Sequence, residues 1–199
     1  MNAPLELRAL RVAKDAPELS FEVTEPFTVL RTGRESHASA TALVIAGRLR
    51  AASGEVLIDG TPADTRTRFA HVALAGAMEV DSLPRLADVR AVVREQLVWA
   101  SPWYKPVPRT PDVAEPFAAA GCTANLGDVI GDLDVEQRFR LRVALALIAR
   151  PDARLLVVDD VDQVKNMAIR DRILDTLAQT PLPTVALSTN PTDYPEVSL

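Results

Sequence analysis

Apolar and polar residues alternate along Leu5-Glu6-Leu7-Arg8-Ala9-Leu10-Arg11-Val12 and again along Leu19-Ser20-Phe21-Glu22-Val23, which predicts two half-exposed strands. Phe27-Thr28-Val29-Leu30 is more apolar and reads as a third. It runs into the turn-rich Arg31-Thr32-Gly33-Arg34-Glu35-Ser36 and then into Ala40 to Leu49, whose small and apolar residues predict a mostly buried helix. Ser53 to Gly60 reads as a short strand between glycine turns, and Phe69 to Ala75 as a buried strand.

Further along, Leu86, Val89, Val93, Leu97 and Ala100 recur at spacings of three and four, which predicts a helix with one apolar face. Four prolines between Ser101 and Pro111 stop it, and a shorter helix is expected at about 112–121. Val135 to Arg150 predicts a long helix in which Arg138, Arg140 and Arg142 solvate an exposed face. Leu155-Leu156-Val157-Val158 is wholly apolar and reads as a central parallel strand tipped by Asp159-Asp160. Met167 to Thr180 reads as a helix with Ile169, Ile173, Leu174 and Leu177 inward, and Thr184 to Ser188 as a last buried strand. Strands alternating with helices predict an α/β fold; the tail from Tyr194 to Leu199 predicts nothing.

Composition narrows the function classes. With 199 residues, 48% hydrophobic and 25% charged, the chain suffices for one well-packed domain with a lobe attached. A net charge of −5 supplies no overall positive field for nucleic acid or anionic membrane, so only local basic patches could do that work, and no nucleic-acid partner is expected. One cysteine, Cys122, allows no internal disulfide, and His37 and His71 stand too far apart to suggest a metal site. No leader pattern and no run of 18 apolar residues is present, so a cytoplasmic chain is expected, at most peripheral to the inner face of the cell membrane. Lysine stands only at 14, 105 and 165, and glycine is scarce at eight, although phosphate-binding loops depend on both.

Four stretches, in this order and spacing, resemble the ATP-binding-cassette ATPase domain. Phe27 to Gly33 followed by Ala42 to Asp59 resembles the family's strand, phosphate loop and helix, with Ala46-Gly47-Arg48-Leu49-Arg50-Ala51-Ala52-Ser53-Gly54-Glu55-Val56-Leu57-Ile58-Asp59-Gly60 close to its usual wording. Leu133-Asp134-Val135-Glu136-Gln137-Arg138 stands where the signature loop stands, Leu155 to Asp160 resembles the Walker B strand, and Leu187-Ser188-Thr189-Asn190 resembles the switch strand. The resemblance implies a P-loop NTPase-like fold over residues 1–199, with an N-terminal antiparallel β part, a parallel core sheet and a small helical lobe at about 80–135.

The resemblance also locates a degenerate site. The phosphate-loop pattern G-x-x-x-x-G-K-[ST] presents backbone N–H groups, a helix N-terminus and a lysine to the phosphates. Counted from Gly33 through Arg34 and Ser36, this chain puts Ala38 at the second glycine, Ser39 at the lysine and Ala40 at the magnesium-binding hydroxyl, with Thr41 following. No aromatic residue precedes Phe21 to stack on adenine, no glutamine occurs between 60 and 95, and Asn190 replaces the switch histidine. Asp159 matches the magnesium-linked carboxylate and Asp160 stands in place of the glutamate that orients water, or the pair simply caps a turn. Leu133, Asp134, Val135, Glu136 and Gln137 hold the signature positions, where two acids would repel a partner's triphosphate.

Weak binding of magnesium-ATP at most is expected, with no other cofactor and no metal ligand set. The reading is a degenerate cassette subunit that docks on a membrane permease or a sister subunit, a dimer among the arrangements allowed. Two alternatives stay open: an ATPase that works through non-consensus residues, and a soluble scaffold unconnected with transport. Trp99, Trp103 and Tyr104 are either an exposed docking patch or buried against their own lobe.

Overall fold

The computed structural model describes residues 2–33, 37–77, 82–104 and 106–199. In chain order its elements are β1 (Leu5–Arg11), β2 (Leu19–Val23), β3 (Phe27–Arg31), α1 (Ala38–Ile45), β4 (Ser53–Ile58), β5 (Thr61–Pro62), α2 (Thr65–His71) and β6 (Val72–Ala75). Then follow α3 (Val89–Ala100), α4 (Ala114–Ala120), α5 (Val135–Ala149), β7 (Leu155–Val158), α6 (Met167–Leu177), β8 (Thr184–Ser188) and β9 (Glu196–Ser198).

The strands form two sheets, an antiparallel one in the order β2-β1-β4-β5 and a parallel one in the order β6-β7-β8-β3-β9. Successive residues of a strand point to opposite faces, so the parallel sheet feeds two cores. Leu155, Val157, Val185 and Leu30 pack with α1 and with Leu5, Leu7 and Val56 of the antiparallel sheet. Leu156, Val158, Ala186 and Val29 face the other way, onto Phe139, Leu141, Leu145, Ile173 and Leu174 of α5 and α6 and Val92 and Val93 of α3. Wholly apolar strands such as β7 are what a sheet covered on both faces requires.

Several elements differ from the sequence reading. Phe69 to His71 belong to α2 rather than a strand, because Asp64 caps that helix by accepting the Thr67 N–H at 2.7 Å. Likewise α3 begins at Val89, capped by Asp88, which leaves Leu86 outside the helix and 96% exposed. Trp99, Trp103 and Tyr104 are exposed, not packed on their lobe. In the tail, Glu196–Ser198 pairs parallel to β3 as the edge strand. Among the described residues no helix is long and apolar enough to cross a membrane.

Candidate functional site

The C-terminal ends of β3, β7 and β8 open on one side of the parallel sheet, where open α/β sheets place their ligands. Between them and the start of α1 lies a cleft of about 390 Å³ lined by Thr32, Gly33, His37, Ala38, Ser39, Ala40, Asp159, Asp160, Leu187, Ser188 and Thr189. The structure thus brings Gly33, Ala38, Ser39, Ala40, Asp159 and Asp160 together. Arg34 and Ser36 lie outside the described residues.

α1 starts at Ala38 with His37 as a cap that makes no side-chain cap bond, so its first N–H groups are the ones a helix leaves without an intrahelical partner. Thr41 does not serve the cleft: it is buried, and its hydroxyl donates to the His37 carbonyl one turn back at 2.9 Å. Among the described residues that line the cleft there is no lysine or arginine. Its fixed charges are carboxylates instead. Asp159 is 2% exposed at the tip of β7. Asp160 follows with φ 45°, and burial, then the neighbouring Asp162 charge, pushes its carboxyl above the usual range.

Asp162, which the sequence reading passed over, organises the switch segment. Its carboxylate accepts the Thr189 N–H at 2.6 Å, the Thr189 hydroxyl at 2.9 Å, the Ser188 hydroxyl at 3.0 Å and the Asn190 N–H at 3.3 Å. Arg170, itself buried, adds an ion pair at 3.4 Å. Burial alone would push this carboxyl up, but the donors of Asn190, Thr189 and Ser188 outweigh it and hold it below the usual range. Asn190 therefore enters the site as one of the groups tied to Asp162. The signal in the sequence was a third acid two residues after the Asp159-Asp160 pair.

One residue further, Gln163 ties the acidic turn to the end of β6. Its amide nitrogen donates to the Gly76 carbonyl at 3.2 Å and to the Asp160 carbonyl at 2.9 Å, while its amide oxygen accepts from Arg142. Gly76 has φ 81°, and a Cβ there would stand 2.2 Å from the Asp159 carbonyl oxygen, so only glycine fits.

None of the signature positions lines the cleft. They are committed within the chain: Asp134 caps α5 by accepting the Gln137 N–H at 2.7 Å, the Leu133 carbonyl accepts from Arg138, and the Gln137 side chain accepts the Thr123 N–H at 2.8 Å. Val135 is exposed. Glu136 pairs with Arg140 at 2.8 Å and with Arg172, and these bonds, Arg172 first, hold its carboxyl below the usual range. The expectation that the arginines of this helix are solvated fails at Arg140. That residue is buried and donates to Thr176 Oγ1 at 2.8 Å and to the Ala120 carbonyl at 3.3 Å, so it stitches α4, α5 and α6 together. A long amphipathic side chain can do this because every donor it buries finds an acceptor.

Cys122 is buried and its thiol pushed up by that burial, which leaves it a packing residue. Among the described residues no group of three or more His, Cys, Asp or Glu is placed to hold a metal ion.

No protein-family model matches the chain, and no curated protein sequence matches it. Solved structures do. An ABC transporter ATP-binding protein from Pyrococcus furiosus superposes with a TM-score of 0.68 at 18% identity, over 98% of this chain and 96% of that one. The cbiO1 protein of Clostridium perfringens, part of the ABC transporter complex cbiONQ, gives 0.66 at 15% identity over 98% and 81%. MJ1267, an ATP-binding cassette of an ABC transporter, gives 0.75 at 14% identity over 96% and 83%. At such identities the likeness speaks to architecture, and together with the two sheets and the order of their strands it establishes that this chain has the fold of an ABC transporter ATP-binding cassette.

Proposed function

We propose that this chain is a cassette subunit that does not turn over ATP at an appreciable rate and that works through its shape, beside a membrane permease or a sister ATPase subunit. One observation carries the reading. The cleft where the fold seats a triphosphate is lined by Asp159, Asp160 and hydroxyl side chains with no lysine or arginine among the described residues, and Ser39 and Ala40 stand at the lysine and magnesium-hydroxyl positions. A magnesium-bound triphosphate does not fit that donor set: the helix N–H groups remain, but Ser39 stands where the neutralising lysine would, and among the described residues the charges in the cleft are carboxylates that oppose the phosphates. The signature positions add support, since Asp134 and Glu136 are spent on a cap and on arginine pairs within the chain.

Partner docking is supported by a second cleft of about 300 Å³, between the helical lobe and the parallel sheet, lined by Phe69, Leu74, Gln96, Trp99, Leu145 and Arg150 among others. Arg48 and Arg150 both stack on the Phe69 ring, at 4.1 and 4.3 Å from its centroid. Burial, and then the Arg150 charge, lowers the Arg48 guanidinium to about 10. Two crowded cations over an aromatic ring suit a partner segment that brings a carboxylate.

Calorimetric titration of the purified chain with magnesium-ATP tests the reading. No saturable heat is expected at micromolar nucleotide, and micromolar binding would overturn it. The retained Asp159 and the intact start of α1 favour a second reading, an ATPase slowed by non-consensus contacts, which predicts saturable binding and slow phosphate release.

A further inference from the structure

Both tryptophans of the chain, Trp99 and Trp103, and one of its two tyrosines, Tyr104, fall within six residues at the end of α3 and the start of the loop after it. They are 75%, 96% and 72% exposed, with the Trp103 and Tyr104 rings edge to face at 5.9 Å. Amphipathic rings held this far into solvent mark a contact surface.

The charge around them is opposite to that of the chain. Residues 85–109 carry exposed Arg85, Arg90, Arg94 and Arg109 against two acids, Asp88 and Glu95, in a chain whose net charge is −5. Among the described residues none of these four arginines takes part in an ion pair. The Asp88 carboxylate is spent on the Ala91 N–H at 2.7 Å. Along α3, Arg90, Arg94 and Val98 follow at intervals of four on the side away from the buried Val89, Val92 and Val93, whereas Trp99 projects from the other edge of the helix, beside Val92 and over the cleft that Gln96 also lines. In the loop, Pro102, Pro106 and Pro108 have no N–H, so fewer backbone donors need to be stripped of water when it leaves the aqueous phase.

We infer that this surface lies on an anionic lipid bilayer, with Trp103 and Tyr104 at the headgroup boundary and the arginines among the lipid phosphates, while Trp99 stays over the cleft at the other edge of α3. Interleaved arginines and projecting aromatic rings are the pattern of an interfacial anchor. The inference does not depend on nucleotide or on a permease.

Trp103 sits in the patch and Trp99 outside it, so intrinsic fluorescence of a Trp99→Phe variant reads the patch directly. With protein-free vesicles containing a quarter phosphatidylglycerol, the emission is expected to shift to the blue, to be quenched by brominated acyl chains, and to shift little with phosphatidylcholine alone. Trp103→Ala with Tyr104→Ala, or Arg90→Glu with Arg94→Glu, should weaken sedimentation with anionic vesicles by about tenfold or more while leaving the thermal midpoint unchanged, since all four side chains are exposed. No shift and no sedimentation with anionic vesicles would overturn the inference and assign the patch to a protein partner. Sedimentation unchanged in both variants would overturn it as well.

Discussion

The Asp162 carboxylate accepts the backbone N–H of Thr189 at 2.6 Å, so the turn after β7 and the turn after β8 are fastened by a single side chain. The same carboxylate faces the guanidinium of buried Arg170 and holds three more donors of the switch segment. Asp162→Ala is expected to cost about 2–4 kcal/mol, because it leaves a buried cation short of one partner and several donors unmade. Asp162→Asn keeps an acceptor and should cost less. Urea denaturation of the two variants measures the difference.

The pH dependence of stability follows from the same group. Folded Asp162 holds its proton only below the ordinary carboxylate range, so on acidification the unfolded chain takes up a proton first. Its stabilising contribution is complete above that range and is lost as the pH falls through the folded value. Asp160 runs the other way: its raised value means that stability declines as the pH rises from the ordinary range through the folded value. Asp162→Asn should therefore flatten the acid limb of a stability–pH profile and, by removing a neighbouring charge, lower the Asp160 value in a carboxyl titration followed by NMR.

Gly121 ends α4 with φ 60°, and a Cβ there would fall 2.2 Å from the Arg140 guanidinium. Gly121→Ala is expected to cost about 1–3 kcal/mol, from backbone strain and from displacing the buried arginine. Arg140→Met should cost a similar amount by leaving the Ala120 carbonyl and Thr176 unserved. The two losses should fall short of additive in the double variant, because the steric part disappears with the guanidinium. Full additivity would mean that the contact does not matter.

These cases show what the sequence could and could not disclose. The apolar runs of β3, β7 and β8 were legible because a strand covered on both faces needs nothing else. The strands leading to Gly33 and to Asp159 were legible from their apolar runs, and the structure brings the two residues to one cleft. α2 was hidden because Phe69 continues the apolar run of β6, and only the Asp64 cap separates helix from strand. Arg140 was misread because its acceptors, Ala120 and Thr176, lie far off in sequence and no periodicity points to them. Asp162 was overlooked because its partners, two backbone N–H groups and two hydroxyls, belong to a segment 26 to 28 residues away.

On the proposed reading, giving the start of α1 the lysine and hydroxyl of the family pattern tests whether it can seat a phosphate. Ser39 and Ala40 lie in the first turn of α1, whose N–H groups and dipole still favour an anion. Ser39→Lys with Ala40→Ser supplies the absent ammonium and hydroxyl, and Asp159 and Asp160 stand in the same cleft to meet the lysine. With nothing bound, the lysine should pair with those carboxylates, raise the thermal midpoint and bring the Asp160 value down. Magnesium-ATP must then compete for that lysine, so the gain in affinity should be moderate, from no detectable binding to a Kd of about a millimolar or somewhat below. Adding Asp160→Asn removes one competitor and should tighten it further. A double variant that folds, shows the raised midpoint and still binds no nucleotide would mean that the start of α1 is a structural turn that no longer seats phosphate.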